Sequence, residues 1–190
     1  MPHHAVLTAL RMQRALQSLA EPFRARGWPA LEIGINTGMM TVGDMGSRVR
    51  KAYTVMGDAV NLASRLEGIA KEYGVGIVVG EMTREQVPDV TFRELDRVRV
   101  KGKEEPVAIY EPLGLTKDLS AATFDELELW QHALRLYRAR DWEQAELQIY
   151  NLRQCAPACR LYAIYAEHIV ALRANLPDAL WNGVTTYQTK

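Results

Sequence analysis

The chain has 190 residues, of which 48% are hydrophobic, so it can form one packed domain or a small domain with an appendage. Lys+Arg and Asp+Glu residues number 23 each, and this balance gives no support to a nucleic-acid-binding protein, which usually carries a basic excess. The sequence has two cysteines, no signal-peptide pattern and no apolar run near the roughly 18–20 residues of a membrane span, so we expect a reduced, cytoplasmic chain without a membrane segment.

The first part of the chain combines a helical pattern with strand-like patterns. Apolar residues recur at near-helical spacing over residues 5–20, which predicts an amphipathic helix. Residues 31–38 ("LEIGINTG") alternate and end in glycine, which predicts a strand and a turn, and residues 39–43 are interpreted as its hairpin partner. Residues 52–56 ("AYTVM") are a further predicted strand.

A second helix is predicted from about Ala59 to Tyr73. Asp58 precedes it as a good N-cap residue, and Gly74 fits its C-terminal stop. Strand patterns follow at residues 76–80, 91–100 and 107–114. Helices mixed with antiparallel hairpins indicate an α+β fold.

The composition changes after Gly114. Residues 115–126 hold turn formers without a period and are interpreted as a linker. Residues 127–157 predict a helical hairpin with the packing positions of a tetratricopeptide-like (TPR-like) unit, which are Ala133, Leu136, Ala145, Ile149, Leu152 and Pro157. A third helix is predicted over about 161–173. Because one such unit cannot bury its own face, we expect this tail, residues 127–190, to dock on the preceding domain or to form a short cap.

Asn61 and Arg65 lie four residues apart on the second predicted helix. Residues at this spacing share one helix face, with Cβ atoms roughly 5–6 Å apart, so the two side chains can converge on one ligand. An arginine fork matches phosphate oxygens, and an amide can orient a sugar oxygen. On spacing alone, an ordinary solvent-exposed polar helix face is the more common explanation of such a pair.

Four segments in order carry a family resemblance. They are "LEIGINTG" at 31–38, "VGDMGS" at 42–47, "YTVMGDAVNLASRLE" at 53–67 and "RVRVKGKEEPVAIYE" at 97–111. Together they resemble the C-terminal half of the class III nucleotide cyclase catalytic domain, the adenylate and guanylate cyclase family. The resemblance implies a partial ferredoxin-like cyclase domain over residues 1–114. The tail resembles that of bacterial membrane-anchored cyclases, which implies a parent protein anchored to the inner membrane.

The resemblance also implies a reaction and residue roles. In this family two domains form a dimer with active sites at the interface, where ATP is converted to cyclic AMP and pyrophosphate with two Mg²⁺ or Mn²⁺ ions. Asn61 matches the asparagine that orients the ribose, and Arg65 matches the arginine that neutralises charge at the α-phosphate. Thr54 matches the base-reading position and weakly favours ATP over GTP. Lys101 matches a lysine that contacts the β- and γ-phosphates, with Lys103 as the alternative. The implied partners are ATP and a second cyclase protomer, as a homodimer or with a related chain.

The sequence departs from the family where the metal-binding aspartates are expected. Their "F-x-D-x-x-G-F-T" context is absent, "VGDMG" at 42–46 follows a different turn, and "MGDAV" at 56–60 runs into the Asn–Arg element. No metal ligand is therefore assigned, and the chain alone is expected to be inactive. The family strand that pairs with residues 31–38 is also not found, so association through that edge is expected. The alternative function is a non-catalytic cyclase remnant that binds a partner through its helical tail.

Overall fold

The computed structural model describes residues 1–27, 30–46, 51–100, 105–178 and 180–187. The chain begins with helices α1 (Pro2–Gln17) and α2 (Ala20–Ala25). The predicted amphipathic helix is confirmed as α1, which already starts at Pro2 because proline in a first turn loses no intrahelical hydrogen bond. Its buried residues Val6 and Ala9 pack in a cluster with sheet residues such as Val79.

Most strands of the described chain belong to one mixed sheet. The strands are β1 (Ile33–Ile35), β2 (Thr41–Gly46), β3 (Lys51–Met56), β4 (Ile77–Gly80), β5 (Val90–Val100), β6 (Val107–Leu115) and β7 (Val184–Tyr187). Five of them form a sheet in the order β1-β4-β6-β5-β7, while β2 and β3 form a separate antiparallel hairpin. The β1–β4 and β5–β7 pairs are parallel, and the β4–β6 and β6–β5 pairs are antiparallel. The predicted α+β class is confirmed.

The pairing of β1 corrects one prediction. Residues 39–43 were expected to return alongside β1, but β2 pairs with β3, with Thr41 opposite Met56. β1 pairs in parallel with β4, with Ile33 opposite Ile77. A parallel partner needs a long crossover, and here the β2–β3 hairpin and the following helix provide it. Local sequence spacing does not reveal such a distant partner.

The helix that follows the hairpin is α3 (Asp58–Tyr73). Its N-cap is Gly57, and no side chain caps it, so the prediction of Asp58 as N-cap is wrong. Asp58 is instead the first helical residue, where a negative charge is favourable beside the helix dipole. The predicted stop is confirmed, because Gly74 adopts the left-handed conformation with φ of 68°.

The tail is helical almost from the end of the sheet. The tail helices are α5 (Ala121–Arg138), α6 (Trp142–Cys155) and α7 (Arg160–Ala174), and a 3₁₀ turn at Thr116–Asp118 precedes them. The short helix α4 (Glu81–Glu85) lies earlier in the chain, between β4 and β5. α5 begins inside the segment interpreted as a linker, since Ser120 caps it by accepting a hydrogen bond from the Thr123 backbone N–H. Turn-forming composition therefore concealed a capped helix start.

One hydrophobic core joins the tail to α3 and the sheet. Of the predicted packing positions, Ala133, Ala145, Ile149 and Leu152 are buried, Leu136 is half-buried and Pro157 is exposed. Leu66 of α3 and Val98 of β5 belong to the same buried cluster as Trp130 and Tyr165 of the tail. The expectation that the tail docks on the preceding domain is confirmed.

The tail also supplies hydrogen bonds to β5. The ladder between β5 and β6 is irregular at Leu95, between Glu94 and Asp96. There the Trp130 indole N–H donates to the Glu94 carbonyl at 2.7 Å, and the Tyr165 hydroxyl donates to the Leu95 carbonyl at 3.0 Å. Because buried carbonyls need donors, α5 and α7 are part of what holds this bulge in the sheet.

Candidate active site

Helix α3 turns its predicted functional pair away from the core. The buried side of α3 consists of Ala59, Leu62, Leu66, Ile69, Ala70 and Tyr73. Asn61 is exposed and Arg65 is half-buried. Since the helix is continuous, the two residues share one face. Neither side chain forms a hydrogen bond or ion pair with any other residue in the described ranges, so both are open to a ligand or to a partner chain.

A tight turn joins the strand of Thr54 to the helix of Asn61. Thr54 is exposed on β3, opposite Gly43 of β2. The chain enters α3 through Gly57, whose φ is 148°, and a Cβ there would lie 3.2 Å from the Met39 carbonyl oxygen. Only glycine fits this backbone without strain. The turn therefore places the base-reading candidate and the Asn–Arg pair on two directly connected elements.

β1 anchors the N-terminal half of α3. A Cβ at Gly34 would overlap the backbone of Ala63 and Glu67, so the strand and helix approach more closely than any larger residue would allow. The Asn36 amide donates to the Ala59 carbonyl at 3.0 Å, in the first turn of the helix. These contacts set where the turn carrying Asn61 lies relative to the sheet.

Asp96 anchors the C-terminal end of the same helix. The Tyr73 hydroxyl, in the last turn of α3, donates to Asp96 Oδ2 at 2.6 Å. The Thr185 hydroxyl of β7 donates to the same oxygen at 2.7 Å, and the Arg97 backbone N–H donates to Oδ1 at 2.6 Å. Asp96 is only 1% exposed. Three donors around one carboxylate are the compensation that a buried acidic group requires.

Burial shifts the pKa values of Asp96 and of the tyrosines around it. Burial raises the pKa of the Asp96 carboxyl, while the hydrogen bonds from Tyr73 and Thr185 oppose that rise. Burial, with the nearby Asp96 charge, also raises the pKa of the Tyr73 and Tyr165 hydroxyls, which therefore remain protonated donors. This cluster is a structural network inside the protein.

The remaining predicted site residues are less informative. Lys101 and its alternative Lys103 lie outside the described residues, between the ends of β5 and β6. Among the described residues, no group of three His, Cys, Asp or Glu side chains could hold a metal ion. The sequence also lacks the motifs to which the resemblance assigns the metal-binding aspartates, so no residue of this chain is assigned to a Mg²⁺ or Mn²⁺ ion. A groove of about 830 Å³ beside the start of α3 is lined by Asp58, Ala59 and Leu62.

The hairpin next to Asn61 exposes apolar side chains. Its large exposed residues, with those of the preceding loop, are Met39, Met40, Val42, Tyr53, Val55 and Met56, and Tyr53 is 76% exposed. An apolar surface of this kind is typical of a contact with another macromolecule. In the described part of the chain, no helix is long and apolar enough to cross a membrane.

The family model of the adenylate and guanylate cyclase catalytic domain matches residues 2–111, which is more than half of the chain. The chain belongs to this family. The fold agrees, because the crystal structure of the adenylyl cyclase CyaB from P. aeruginosa superimposes with a TM-score of 0.52. That match has 34% sequence identity and covers 63% of this chain and 62% of the other.

Two relatives show how far the similarity of this cyclase-family chain extends. It is 38% identical over 117 residues to adenylate cyclase 1 of Rhizobium meliloti, covering 60% of this chain and 18% of that protein. It is 37% identical over 175 residues to the terminal-differentiation specific adenylate cyclase of Dictyostelium discoideum, covering 88% of this chain and 8% of that protein. The chain thus spans less than a fifth of the length of these relatives. A match over 88% of the chain extends beyond residue 111 into the helical tail.

Sequence reasoning did not identify the Asp96 network. A signal was present, because Asp96 lies in phase with Val98 and Val100 on the alternating strand 91–100. A carboxylate on the apolar face of a strand indicates a buried, hydrogen-bonded acid. Its partners Tyr73 and Thr185 are distant in sequence and could not be recognised from it.

Proposed function

We propose that this chain contributes Asn61 and Arg65 to an adenylate cyclase active site that it shares with a second cyclase protomer. The reaction is the conversion of ATP to cyclic AMP and pyrophosphate. The observation that carries the proposal is the open face of α3. An amide and a guanidinium lie there on one helix face without partners among the described residues, inside a chain of the cyclase family.

The chemistry follows from the two side chains. As the ribose 3′-hydroxyl attacks the α-phosphate, negative charge develops on the phosphate oxygens, and the Arg65 guanidinium can donate two parallel hydrogen bonds to them. The Asn61 amide orients the ribose so that the attacking oxygen stays in line. Family members use Mg²⁺ or Mn²⁺ to activate the hydroxyl, but this sequence lacks the motifs to which the resemblance assigns the metal-binding aspartates.

The exposed hairpin supports a shared site. Successive side chains of β3 point to opposite faces, so Thr54 shares a face with the exposed Met56, and a second protomer seated on that face would cover apolar surface and enclose the base-reading residue. Lys101 completes the proposed set as a phosphate contact. A homodimer and a pairing with a related cyclase domain both satisfy this arrangement.

A complementation assay tests the proposal. The chain is mixed with a related full-length cyclase domain whose own matching arginine has been replaced by alanine, and cyclic AMP formation from ATP is measured. We expect the unaltered chain to restore activity and the Asn61→Ala, Arg65→Ala variant to lower that activity on the order of 10²–10³-fold. The control is Arg11→Ala, which removes the same charge from the exposed side of α1 and is expected to complement fully. Equal rescue by all versions would remove Asn61 and Arg65 from the mechanism.

The 190-residue chain by itself gives a second test. Because the resemblance assigns the metal-binding aspartates to motifs that this sequence lacks, we expect no measurable cyclic AMP from ATP with either Mg²⁺ or Mn²⁺. Robust turnover by the purified chain would show that its own residues bind the metals, and the assignment of no metal ligand to this chain would then be wrong.

A further inference from the structure

We propose that Asp96 is a positioning residue through which the C-terminal end of the chain sets the position of α3. The contacts come from a segment we call the clasp, defined as Trp181 together with β7 (Val184–Tyr187). The link from the clasp to α3 stands on the structure alone, whereas its consequence for catalysis rests on the proposed function of Asn61 and Arg65.

The clasp is held at both of its ends. Trp181 packs edge-on against Tyr137 and Trp142, with ring centroids 5.3 and 5.2 Å apart. The Arg140 guanidinium donates to the Asp178 and Trp181 carbonyls and lies over the Trp181 ring. From there β7 runs parallel to β5, with its four residues opposite residues 97–100.

Asp96 is the point where the clasp meets α3. Its Oδ2 atom accepts from Thr185 of the clasp and from Tyr73 of α3, at 2.7 and 2.6 Å. The Tyr187 hydroxyl donates to the Tyr73 hydroxyl at 3.1 Å, which closes a second path between the same two elements. Asp96 itself is fixed on β5 by the Arg97 N–H. The clasp, the sheet and the helix thus share one buried carboxylate.

The length of α3 explains how a contact at Tyr73 affects the position of Asn61. The helix rests on β1 near Gly34 and is tied at its far end by Tyr73, about 18 Å along the axis from Asn61 at 1.5 Å per residue. The contacts at both ends together fix the direction of the helix. If the contact at Tyr73 is lost, the helix can rotate about its contact with β1. Since a displacement of about 1 Å can cost on the order of 10² in rate, a small pivot is enough to misplace Asn61 and Arg65.

Hydrogen exchange in the full chain tests the link to α3. Thr185→Val keeps the shape of the side chain but removes the donor to Asp96, and we expect exchange of the amides in the last two turns of α3 to accelerate by roughly tenfold. Thr186→Val is the matched control, because Thr186 is the exposed neighbour on the same strand. Thr185→Ser retains the hydroxyl and is expected to exchange like the unaltered chain. Equal exchange in the Thr185→Val and Thr186→Val variants, or a serine variant that behaves like valine, would overturn the proposal.

The catalytic consequence is measured in the complementation assay. Thr185→Val and Tyr73→Phe are each expected to lower kcat by roughly tenfold and to leave KM for ATP nearly unchanged, because a misplaced Asn–Arg pair loses contacts made in the transition state. Together they should cost little more than either alone, since both break the same link. Ile169→Val removes a methylene from the buried tail core outside the clasp and is expected to retain the original kcat.

The outcomes separate the two levels of the proposal. If the unaltered chain does not complement, the proposed function is wrong, and the exchange comparison still decides whether Asp96 ties the clasp to α3. If the unaltered chain complements but Thr185→Val lowers kcat no more than Ile169→Val does, the positioning role is wrong although the active-site assignment stands.

Discussion

The two sides of α3 differ in whether their polar side chains have hydrogen-bond partners within the chain. On the open face Asn61 and Arg65 have no partner among the described residues, and the adjoining hairpin exposes apolar side chains. On the tail side the buried polar groups have partners within the chain, apart from the Arg138 Nε atom. Arg93 shows this best, because its guanidinium pairs with Glu111 and Glu126 and donates to the Tyr162 hydroxyl.

The difference separates function from stability. Polar groups that are satisfied inside the chain contribute to folding, and removing one member leaves the others buried and unpaired. Polar groups without internal partners contribute little to folding, and under the proposed function the counterpart of Asn61 and Arg65 is a nucleotide bound between two protomers. Substitutions on the tail side should therefore lower the free energy of unfolding, and substitutions on the open face should lower activity with little effect on stability.

The largest effect is expected from an aromatic residue on the tail side. Trp130→Ala removes a fully buried indole that packs on Tyr162 and Tyr165, and we expect a loss of about 3–5 kcal/mol in the free energy of unfolding. Chemical denaturation measures it. The matched change on the open side, Tyr53→Ala, should alter stability by less than about 0.5 kcal/mol. Similar losses at both positions would mean that the hairpin is buried in solution.

Two arginines sharpen the same comparison. Arg93→Met leaves Glu111 and Glu126 without their cation in a largely buried setting, for which we expect about 3 kcal/mol of destabilisation. Arg65→Ala should leave the unfolding midpoint almost unchanged but lower complementation on the order of 10²–10³-fold. Denaturation curves for both variants, run beside the complementation assay, check the contrast. If Arg65→Ala proves as destabilising as Arg93→Met, Arg65 has an internal role that argues against ligand binding.

Base choice tests the open face more finely. A hydroxyl can accept from the adenine amino group or donate to the guanine carbonyl, so Thr54 discriminates only weakly by itself. In the complemented enzyme, Thr54→Ala should leave the adenine amino group partly unpaired and weaken transition-state binding by roughly 1–3 kcal/mol. The measurement is kcat/KM for ATP and for GTP before and after the change. An ATP/GTP ratio that does not fall would remove Thr54 from base recognition.

The smallest effect is a pH dependence on the tail side. Burial lowers the pKa of His168 below its ordinary value of about 6.5, and this outweighs the opposing charge of Asp96. The unfolded chain therefore takes up a proton near pH 6.5 that the folded chain does not bind, so stability is complete above that pH and declines as the pH falls. His168→Gln should flatten this decline in denaturation measured from pH 7.5 to 5.5. An unchanged slope would contradict the assignment.

Several features were predictable because they depend on neighbours in the sequence. The α1 and α3 patterns, the Gly74 stop and the β5–β6 hairpin were all recognisable, since helix periodicity, strand alternation and turn residues act over a few positions. The shared face of Asn61 and Arg65 was predictable for the same reason: four residues on a continuous helix always return to one side. Composition failed at Ser120, where one side-chain hydrogen bond starts a helix among turn formers.

What the sequence by itself determined is the local structure of this chain, its family-specific segments and the identity of the side chains on α3. Only the tertiary structure decided that β1 pairs with β4, that the tail completes the bulge at Leu95, and that Tyr73, Asp96 and Thr185 meet. The physical reason is the same in each case. These contacts join residues far apart in the chain, and their energy comes from burial and from satisfying buried polar groups, which depends on what surrounds a residue rather than on its neighbours in sequence.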